Sequence, residues 1–212
     1  MRPLVVTVVL FSLREESLQV LLAVASGIPR PAQGGTLSLP AVPPTAGESL
    51  EDAANRLIAA LIDRRETHLE QLYTYGEAGE AVRVAYFALV PAGARLAGAG
   101  GARWVPAAGQ AGLTAAEAEV LAYALRRLRY KLEYSAVGFQ LLPGEFTLSE
   151  LQHTYEIILG ESLDKRNFRR RMLQSGIIEE TPRQRSGEGR PARLYRYRPD
   201  AVAEVKARRL FP

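Results

Sequence analysis

The chain has 212 residues, which allows one large domain or two small ones, and its 47% hydrophobic and 24% charged residues are enough to build a sizeable core. The sequence has no cysteine, which excludes disulfides, cysteine-based zinc sites and cysteine nucleophiles. The net charge is a modest +4, and no apolar run reaches the length that crosses a bilayer, so we expect no membrane partner.

Strand-like segments open the chain. Apolar and β-branched residues dominate residues 4–13 and 17–24, and the charged residues 14–16 between them predict a hairpin. The first segment lacks the small-residue cleavage site of a signal peptide and is interpreted as a core strand, so we expect a cytoplasmic protein.

The next part of the chain mixes strands with one helix. A loop rich in glycine and proline covers residues 26–48, and a helix is predicted over residues 49–63. Aromatic and β-branched residues predict three further strands, at residues 70–77, 82–91 and around 103–105. This mixture predicts a layered α/β domain that ends near Gly112.

The rest of the chain is predominantly helical. Residues 114–134 have apolar side chains at helical spacing, and this long helix is predicted to bridge the two halves or to pair with a partner chain. A second helix begins with a capping box, Thr147 with Glu150, and ends at Gly160.

A third helix follows after a short turn, with Asp164 as its N-cap and its end at Gly176. Residues 177–199 predict a β-hairpin around a glycine-rich turn. Two helices joined by a turn and followed by a hairpin are typical of a winged helix-turn-helix. We therefore predict an α/β domain over residues 1–112, and a linker helix with a DNA-binding domain over residues 113–212.

The charge of the chain is concentrated in one segment. Residues 163–198 contain eleven basic and four acidic residues, a net +7, which leaves −3 for the rest of the chain. Such asymmetry indicates that one part binds a polyanion and the other does not. A solvated, arginine-rich surface with no partner is the alternative.

The third helix has the pattern of a DNA-reading helix. Phe168 and Met172 are four residues apart and lie on its buried face, so Arg166, Asn167 and Arg170 point away. Arginine and asparagine read guanine and adenine in the major groove, and further arginines suit phosphates or a narrow minor groove. The residues predicted to bind DNA are Lys165, Arg166, Asn167, Arg169, Arg170, Arg183, Arg185, Arg190 and Arg193.

The stretch 47–61, GESLEDAANRLIAAL, resembles part of a Nudix box, which reads G-x5-E-x7-R-E-U-x-E-E-x-G-U with U bulky and aliphatic. Glu48, Arg56 and Ile58 match the pattern. Leu57, Ala60 and Leu61 stand at the three glutamates, and Val42 and Asp63 stand at the two glycines.

The three replaced glutamates share one helix face, because positions 57, 60 and 61 are spaced i, i+3 and i+4. In an active Nudix enzyme that face holds magnesium through carboxylates, and here it is apolar. Without these ligands nothing draws a metal ion to a diphosphate or activates a water. We therefore predict no catalytic residues, no metal site, no cofactor and no enzyme activity.

The chain as a whole resembles the Nudix-related transcriptional regulators of NAD metabolism, the NrtR family. Segments that carry the resemblance are LEQLYTYGE, KLEY, FQLLPGEFTLSELQ, LDKRNFRRRML and GRPARLYR. It implies a Nudix-like α/β/α sandwich with a mixed sheet, followed by a C-terminal winged helix-turn-helix domain. It also implies a homodimeric repressor that binds a palindromic double-stranded operator and is released by ADP-ribose or a related nucleotide.

The effector site departs from the family's pattern, since Ala41 and Val42 replace glycines and add bulk where a backbone approaches a pyrophosphate. Arg30, Glu48 and Arg56 are the polar candidates for binding the effector, and Glu48 and Arg56 can instead pair with each other. Two rival hypotheses remain. One is a Nudix hydrolase with an unusual metal site, and the other is a dimerisation scaffold that binds no ligand.

Overall fold

The computed structural model describes residues 2–24, 37–63, 67–76, 81–98, 101–109, 112–186 and 191–198, with only the backbone of residues 133 and 134. The chain divides into two compact units, Met1–Leu125 and Arg126–Pro212. No helix in the described stretches is long and apolar enough to cross a membrane.

The N-terminal unit is built on a mixed sheet. Its elements are β1 (Leu4–Arg14), β2 (Ser17–Val24), β3 (Leu37–Ser38), β4 (Ala41–Val42), α1 (Leu50–Leu61), β5 (His68–Tyr75), β6 (Val82–Leu89), β7 (Arg103–Pro106) and the first part of α2 (Ala115–Tyr134). The strand order is β3-β2-β1-β6-β5, with β4 also paired to β1 and β7 to β2. β1 and β6 are parallel, and the other pairs are antiparallel. The strands and the mixed sheet predicted from the sequence are confirmed.

β1 and β2 form the predicted hairpin. Arg14 pairs with Ser17, so Glu15 and Glu16 make a two-residue turn with φ angles of 49° and 56°. Both residues lie in the left-handed region, where a turn follows the twist of the two strands, although most hairpins place asparagine or glycine there. The hairpin fixes the end of β1 at Arg14, one residue beyond the predicted strand.

The prediction of a continuous loop over residues 26–48 is wrong in its second half, where the two short strands β3 and β4 occur. β2 pairs with β1 only along residues 11–14, which leaves Val6 and Thr7 open to pair with β4. Strands of two residues have no periodicity that a sequence can show, so tertiary pairing decides them. Residues 26–36 of the predicted loop lie outside the described residues.

Helix α1 packs on one face of the sheet. The Ser49 hydroxyl accepts a hydrogen bond from the Asp52 backbone N–H at 3.1 Å, which caps the helix. The helix ends at Leu61, two residues before the predicted end, because Ile62 pairs with Leu96 as an isolated bridge. Its buried side chains Ala53, Ala54 and Ile58 join a core that contains Val6, Val8, Leu10, Leu21, Val84, Tyr86, Ala88 and Val90.

A buried carboxylate fixes the start of α2. Glu117 accepts hydrogen bonds from the Thr114 backbone N–H at 3.0 Å and from its hydroxyl at 2.9 Å. Its other oxygen accepts from the Leu39 backbone N–H at 3.2 Å, so the same side chain holds the segment between β3 and β4. The division between the two units falls within α2, and the domain boundary at residue 112 stays a prediction.

The C-terminal unit contains the second part of α2, a 3₁₀ helix (Ala136–Leu141), α3 (Leu148–Leu159), α4 (Lys165–Ser175), β8 (Ile178–Arg185) and β9 (Ala192–Tyr197). β8 and β9 form an antiparallel hairpin, and Phe146 adds a bridge to Tyr195 beside it. Two helices, a hairpin and this short third strand form a winged helix, as the sequence predicts. The 3₁₀ helix is absent from the sequence prediction.

The predicted helix boundaries in this unit are confirmed. Thr147 and Glu150 form a capping box at the start of α3, and Gly160 ends that helix in the left-handed conformation with φ of 78°. Asp164 caps α4 through the Asn167 backbone N–H at 2.7 Å, and Gly176 ends it with φ of 70°. The turn between the two helices therefore runs only from Gly160 to Asp164, the two capping residues.

Aromatic side chains fill the core of the C-terminal unit. Tyr155 is fully buried and meets the ring of Phe168 edge-on, with 5.5 Å between the ring centroids. A Cβ atom on Gly138 would lie 2.8 Å from Leu132 Cδ2 and 3.1 Å from Tyr155 Cε2, so the 3₁₀ helix packs closely at this glycine. This core holds α3, α4 and the 3₁₀ helix together.

Removal of the cap of α3 is expected to destabilise the winged helix. In Thr147→Ala the Glu150 backbone N–H loses the hydroxyl that accepts its hydrogen bond at 3.1 Å, and the free energy of unfolding should fall by about 0.5–2 kcal/mol. Thr147→Ser keeps the hydroxyl and is the matched control. Urea denaturation measures both, and equal losses in the two variants would contradict the role of the cap.

Candidate nucleic-acid interface and effector site

Helix α4 presents a basic surface opposite its buried side. Phe168 and Met172 are 2% and 0% exposed, which confirms the predicted buried face. Lys165, Arg166 and Arg170 are exposed. These cations project from one rigid helix, as direct contact with DNA bases requires.

Two of the predicted DNA-binding residues on α4 hold other side chains in place. Arg170 Nη2 donates to Asn167 Oδ1 at 2.8 Å, so the two residues expected to read bases already contact each other. Arg169 is half-buried, and its Nη2 donates to the Ser149 hydroxyl at 2.9 Å. Arg169 therefore joins α4 to the first turn of α3, a contact that the sequence pattern did not predict.

The predicted DNA-binding arginines of the hairpin are paired with carboxylates. Arg183 Nη2 lies 3.0 Å from Glu145 Oε1, and Arg193 Nη1 donates to Glu180 Oε2 at 2.8 Å. Their side chains are 73% and 64% exposed, so these pairs contribute little to stability.

Arg185 also pairs with a carboxylate, and this one belongs to a helix cap. Its Nη1 donates to Glu150, the capping residue of α3. The first turn of α3 is thus bound by β8 through Glu150 and by α4 through Ser149. Neither Ser149 nor Glu150 has a sequence signal beyond the capping box. Arg190, which is also predicted to bind DNA, lies outside the described residues.

In the N-terminal unit the two charged residues that match the Nudix pattern form an ion pair. Arg56 Nε donates to Glu48 Oε1 at 2.7 Å and Arg56 Nη2 to Glu48 Oε2 at 2.9 Å. The same Nη2 donates to the Pro43 carbonyl at 3.0 Å, and the Thr45 backbone N–H donates to Glu48 at 2.7 Å. The pair therefore ties the loop before α1 to the helix.

These contacts stabilise the charged form of Glu48. The hydrogen bond from Arg56, followed by that from the Thr45 backbone, lowers the pKa of Glu48 to about 2. The carboxylate is hence ionised at neutral pH and fully engaged, whereas Arg56 Nη1 has no hydrogen bond within the described residues. Arg30, the third candidate for the effector, lies outside the described residues.

The face that would carry carboxylates in a Nudix enzyme continues the apolar core. Leu57 and Leu61 are half-buried and pack against the core, as Val42 and Trp104 also do, while Ala60 is exposed. No group of three or more potential metal-ligating side chains occurs among the residues that the structure describes. Chemically, this face offers apolar contact to a ligand and no means to bind a hard cation.

A cation that the sequence pattern did not single out lies on the same side of the sheet as α1. The guanidinium carbon of Arg14 is 4.6 Å from the centre of the Trp104 ring, and Arg14 Nη2 donates to the Ala94 carbonyl. Burial lowers the pKa of Arg14, and the neighbouring Glu15 opposes that shift. An arginine at the end of a strand has no distinctive spacing, so only the fold shows that it stacks on a tryptophan.

Comparison with known proteins places both units. Residues 138–197 match the NrtR DNA-binding winged helix domain. The ADPR responsive transcriptional repressor NtrR of Acinetobacter baylyi is 34% identical over 206 residues, which cover 91% of this chain and 80% of that protein.

Solved structures contain the same two kinds of domain in the same order along the chain. The crystal structure of Shewanella oneidensis NrtR complexed with a 27mer DNA is 32% identical, with a TM-score of 0.81 over 94% of this chain and 95% of that chain. The NUDIX domain of that protein, crystallised with ADP ribose, is 28% identical, with a TM-score of 0.52 over 60% of this chain and 89% of the domain. The predicted fold, a Nudix-like α/β sandwich followed by a winged helix, is thereby confirmed. With 34% identity over most of both chains, this protein belongs to the NrtR family of transcriptional regulators.

Proposed function

We propose that this protein is a homodimeric repressor that binds a palindromic operator and leaves it when a nucleotide such as ADP-ribose binds the Nudix-like domain. The exposed surface of α4, formed by Lys165, Arg166 and Arg170, carries the DNA-binding part of the proposal. The DNA complex of the Shewanella oneidensis relative, which matches nearly the whole chain, supports it.

DNA recognition is divided between the helix and the hairpin. α4 supplies Arg166, Asn167 and Arg170 for base edges in the major groove, and Arg169 and Lys165 lie beside them for phosphates. On binding, the hairpin arginines exchange their carboxylate partners for phosphate oxygens. Each exposed ion pair is worth about 0–1 kcal/mol, so this exchange has a small cost.

The effector site is proposed near the N-terminal part of α1 and along its apolar face. Arg56 can bind a phosphate through Nη1 while it keeps its pair with Glu48, and Arg30 stays a candidate. ADP-ribose is proposed because the Acinetobacter baylyi relative is ADPR responsive and the NUDIX domain of the Shewanella oneidensis relative binds ADP ribose. α2 is continuous from Ala115 to Tyr134, so it is the proposed route by which the effector changes the spacing of the DNA-binding units.

We also propose that the protein is not an enzyme. Glu48 is engaged by Arg56 and the loop before α1, and Leu57, Ala60 and Leu61 supply no oxygen ligands. A bound diphosphate therefore has no metal ion to polarise it and no activated water to attack it.

DNA binding should be specific and should depend on salt. A dimer with several arginines per protomer should neutralise on the order of 6–10 phosphates, so affinity should fall steeply as salt rises. Arg166→Ala and Arg170→Ala should each weaken binding by roughly 1–3 kcal/mol and relax the sequence preference. Fluorescence anisotropy with a palindromic duplex and a scrambled duplex measures both effects.

The matched control for these variants is Arg103→Ala, which removes an exposed arginine from β7 in the other unit. It should leave both affinity and preference unchanged. If Arg166→Ala and Arg103→Ala weakened binding equally, or if the scrambled duplex bound as tightly as the palindrome, α4 would be a generic polyanion surface.

The effector should lower operator affinity by about 100-fold, which corresponds to about 2.7 kcal/mol of coupling between the two sites. Operator affinity of the full chain is measured with and without saturating ADP-ribose, then with NAD and sugar phosphates. By reciprocity, operator DNA should weaken ADP-ribose binding by the same factor in calorimetry. If none of these nucleotides changed operator affinity, the Nudix-like domain would be a dimerisation scaffold and not a sensor.

Hydrolysis of ADP-ribose should be undetectable with magnesium or manganese, because the carboxylate face is absent. Product release is followed at high protein concentration beside an active Nudix hydrolase as positive control. Turnover that disappears in Glu48→Gln would show a working site and would replace the repressor proposal with the hydrolase alternative.

A further inference from the structure

Arg14 projects from the sheet on the face that α1 covers. Along β1 the side chains alternate, so Leu10, Ser12 and Arg14 share one face, and Leu10 belongs to the core beneath α1. Trp104 lies on that face too, because it pairs across the sheet with Leu21, another member of the same core. The stacked arginine and tryptophan are thus part of the inner surface of the Nudix-like domain.

The position of Arg14 relates it to the end of α1. Its Nη2 donates to the carbonyl of Ala94, and the residues that follow Ala94 run beside the end of the helix. The Ala97 backbone N–H donates to the Leu61 carbonyl at 2.9 Å, and the Asp63 backbone N–H donates to the Arg95 carbonyl at 2.9 Å. Arg14 therefore contacts the segment 94–97, and this segment is hydrogen-bonded to the end of α1 that carries Leu57 and Leu61.

Three polar atoms on this face are buried and have no hydrogen-bond partner within the described residues: Ser12 Oγ, Arg14 Nε and Trp104 Nε1. A buried donor without an acceptor costs about 1–3 kcal/mol, more when it is charged. All three can donate, and Arg14 forms no ion pair with a carboxylate of the described chain. Donors that share one face and include a guanidinium without a carboxylate partner in the described chain are suited to an anionic ligand that has several acceptor oxygens.

We propose that Arg14, stacked on Trp104, binds the phosphate oxygens of the effector and replaces the metal ion that the apolar face of α1 cannot hold. This inference rests on the proposed effector and names the part of the protein that recognises its phosphates. A diphosphate needs a cation in place of magnesium, and a guanidinium binds two oxygens of one phosphate at once. Leu57 and Leu61 then contact the ligand through apolar surface only, so binding requires no metal.

Trp104 provides a direct measurement, because it is the only tryptophan in the chain. ADP-ribose, AMP, adenosine and inorganic pyrophosphate are titrated into the full-length protein with EDTA present, and Trp104 fluorescence is recorded beside calorimetry. The three phosphate-bearing probes should change the fluorescence, and adenosine should not. Arg14→Gln should weaken ADP-ribose binding by about 10–100-fold, the loss expected for a charged hydrogen bond.

Two variants separate recognition from stability. Arg103→Gln removes an exposed arginine from the residue next to Trp104, on the opposite face of β7, and should leave binding unchanged. Arg14→Lys keeps the charge but loses the planar fork, so its affinity should lie between those of the wild type and Arg14→Gln. Thermal unfolding of each variant shows that the fold is retained.

The outcomes distinguish this inference from the proposed function. If ADP-ribose binds wild type and Arg14→Gln equally well, or leaves Trp104 fluorescence unchanged at saturation, Arg14 is a structural residue and the sensor proposal stands. If EDTA abolishes binding, a metal ion and not Arg14 binds the phosphate oxygens, and the inference is wrong. If ADP-ribose does not bind wild type at all, the proposed effector is wrong, and a pyrophosphate response that depends on Arg14 would still support the anion site.

Discussion

The packing of α1 against one face of the mixed sheet decides the chemistry of the N-terminal unit. Ala53, Ala54 and Ile58 are buried on that face, and the burial of the isoleucine side chain alone is worth about 1.5–3 kcal/mol. Leu57 and Leu61 extend the same apolar surface toward the end of the helix. Carboxylates at these positions would pack against the same core, where burial of their charge without a partner would be costly. At these positions the helix therefore contributes apolar packing to the core.

In the winged helix, the first turn of α3 contacts both β8 and α4. The capping box of α3 uses Glu150 to satisfy the Thr147 backbone N–H at 2.7 Å, and the second oxygen of the same carboxylate binds Arg185 of β8. Ser149, in the same helical turn, binds Arg169 of α4. One turn of α3 thus positions the recognition helix and the hairpin together, although neither contact is strong alone. Substitutions in that turn should disturb DNA contacts made by residues far away in sequence.

Much of this structure follows from local patterns. The alternation of β1 and β2, the capping box at Thr147 and the glycine at Gly160 each depend on neighbouring residues, and each prediction is confirmed within one or two residues. β3, β4 and the 3₁₀ helix were missed because tertiary pairing and packing create them. The site was predictable only where residues are close in sequence, as for Glu48 with Arg56. Arg14 and Trp104 are 90 positions apart, and only the sheet register brings them to one face.

Loss of the metal face and gain of a regulatory function fit the same thermodynamic logic. An enzyme gains rate only from contacts that are stronger in the transition state than in the ground state, and tight ground-state binding slows it. A sensor needs the reverse, because its effect on DNA equals the difference in ground-state affinity between its two conformations. A ligand that is never cleaved can hold one conformation for as long as its concentration lasts. Under the proposed function, apolar contacts and a fixed guanidinium would serve that purpose, since they would bind a diphosphate without activating the water that cleaves it.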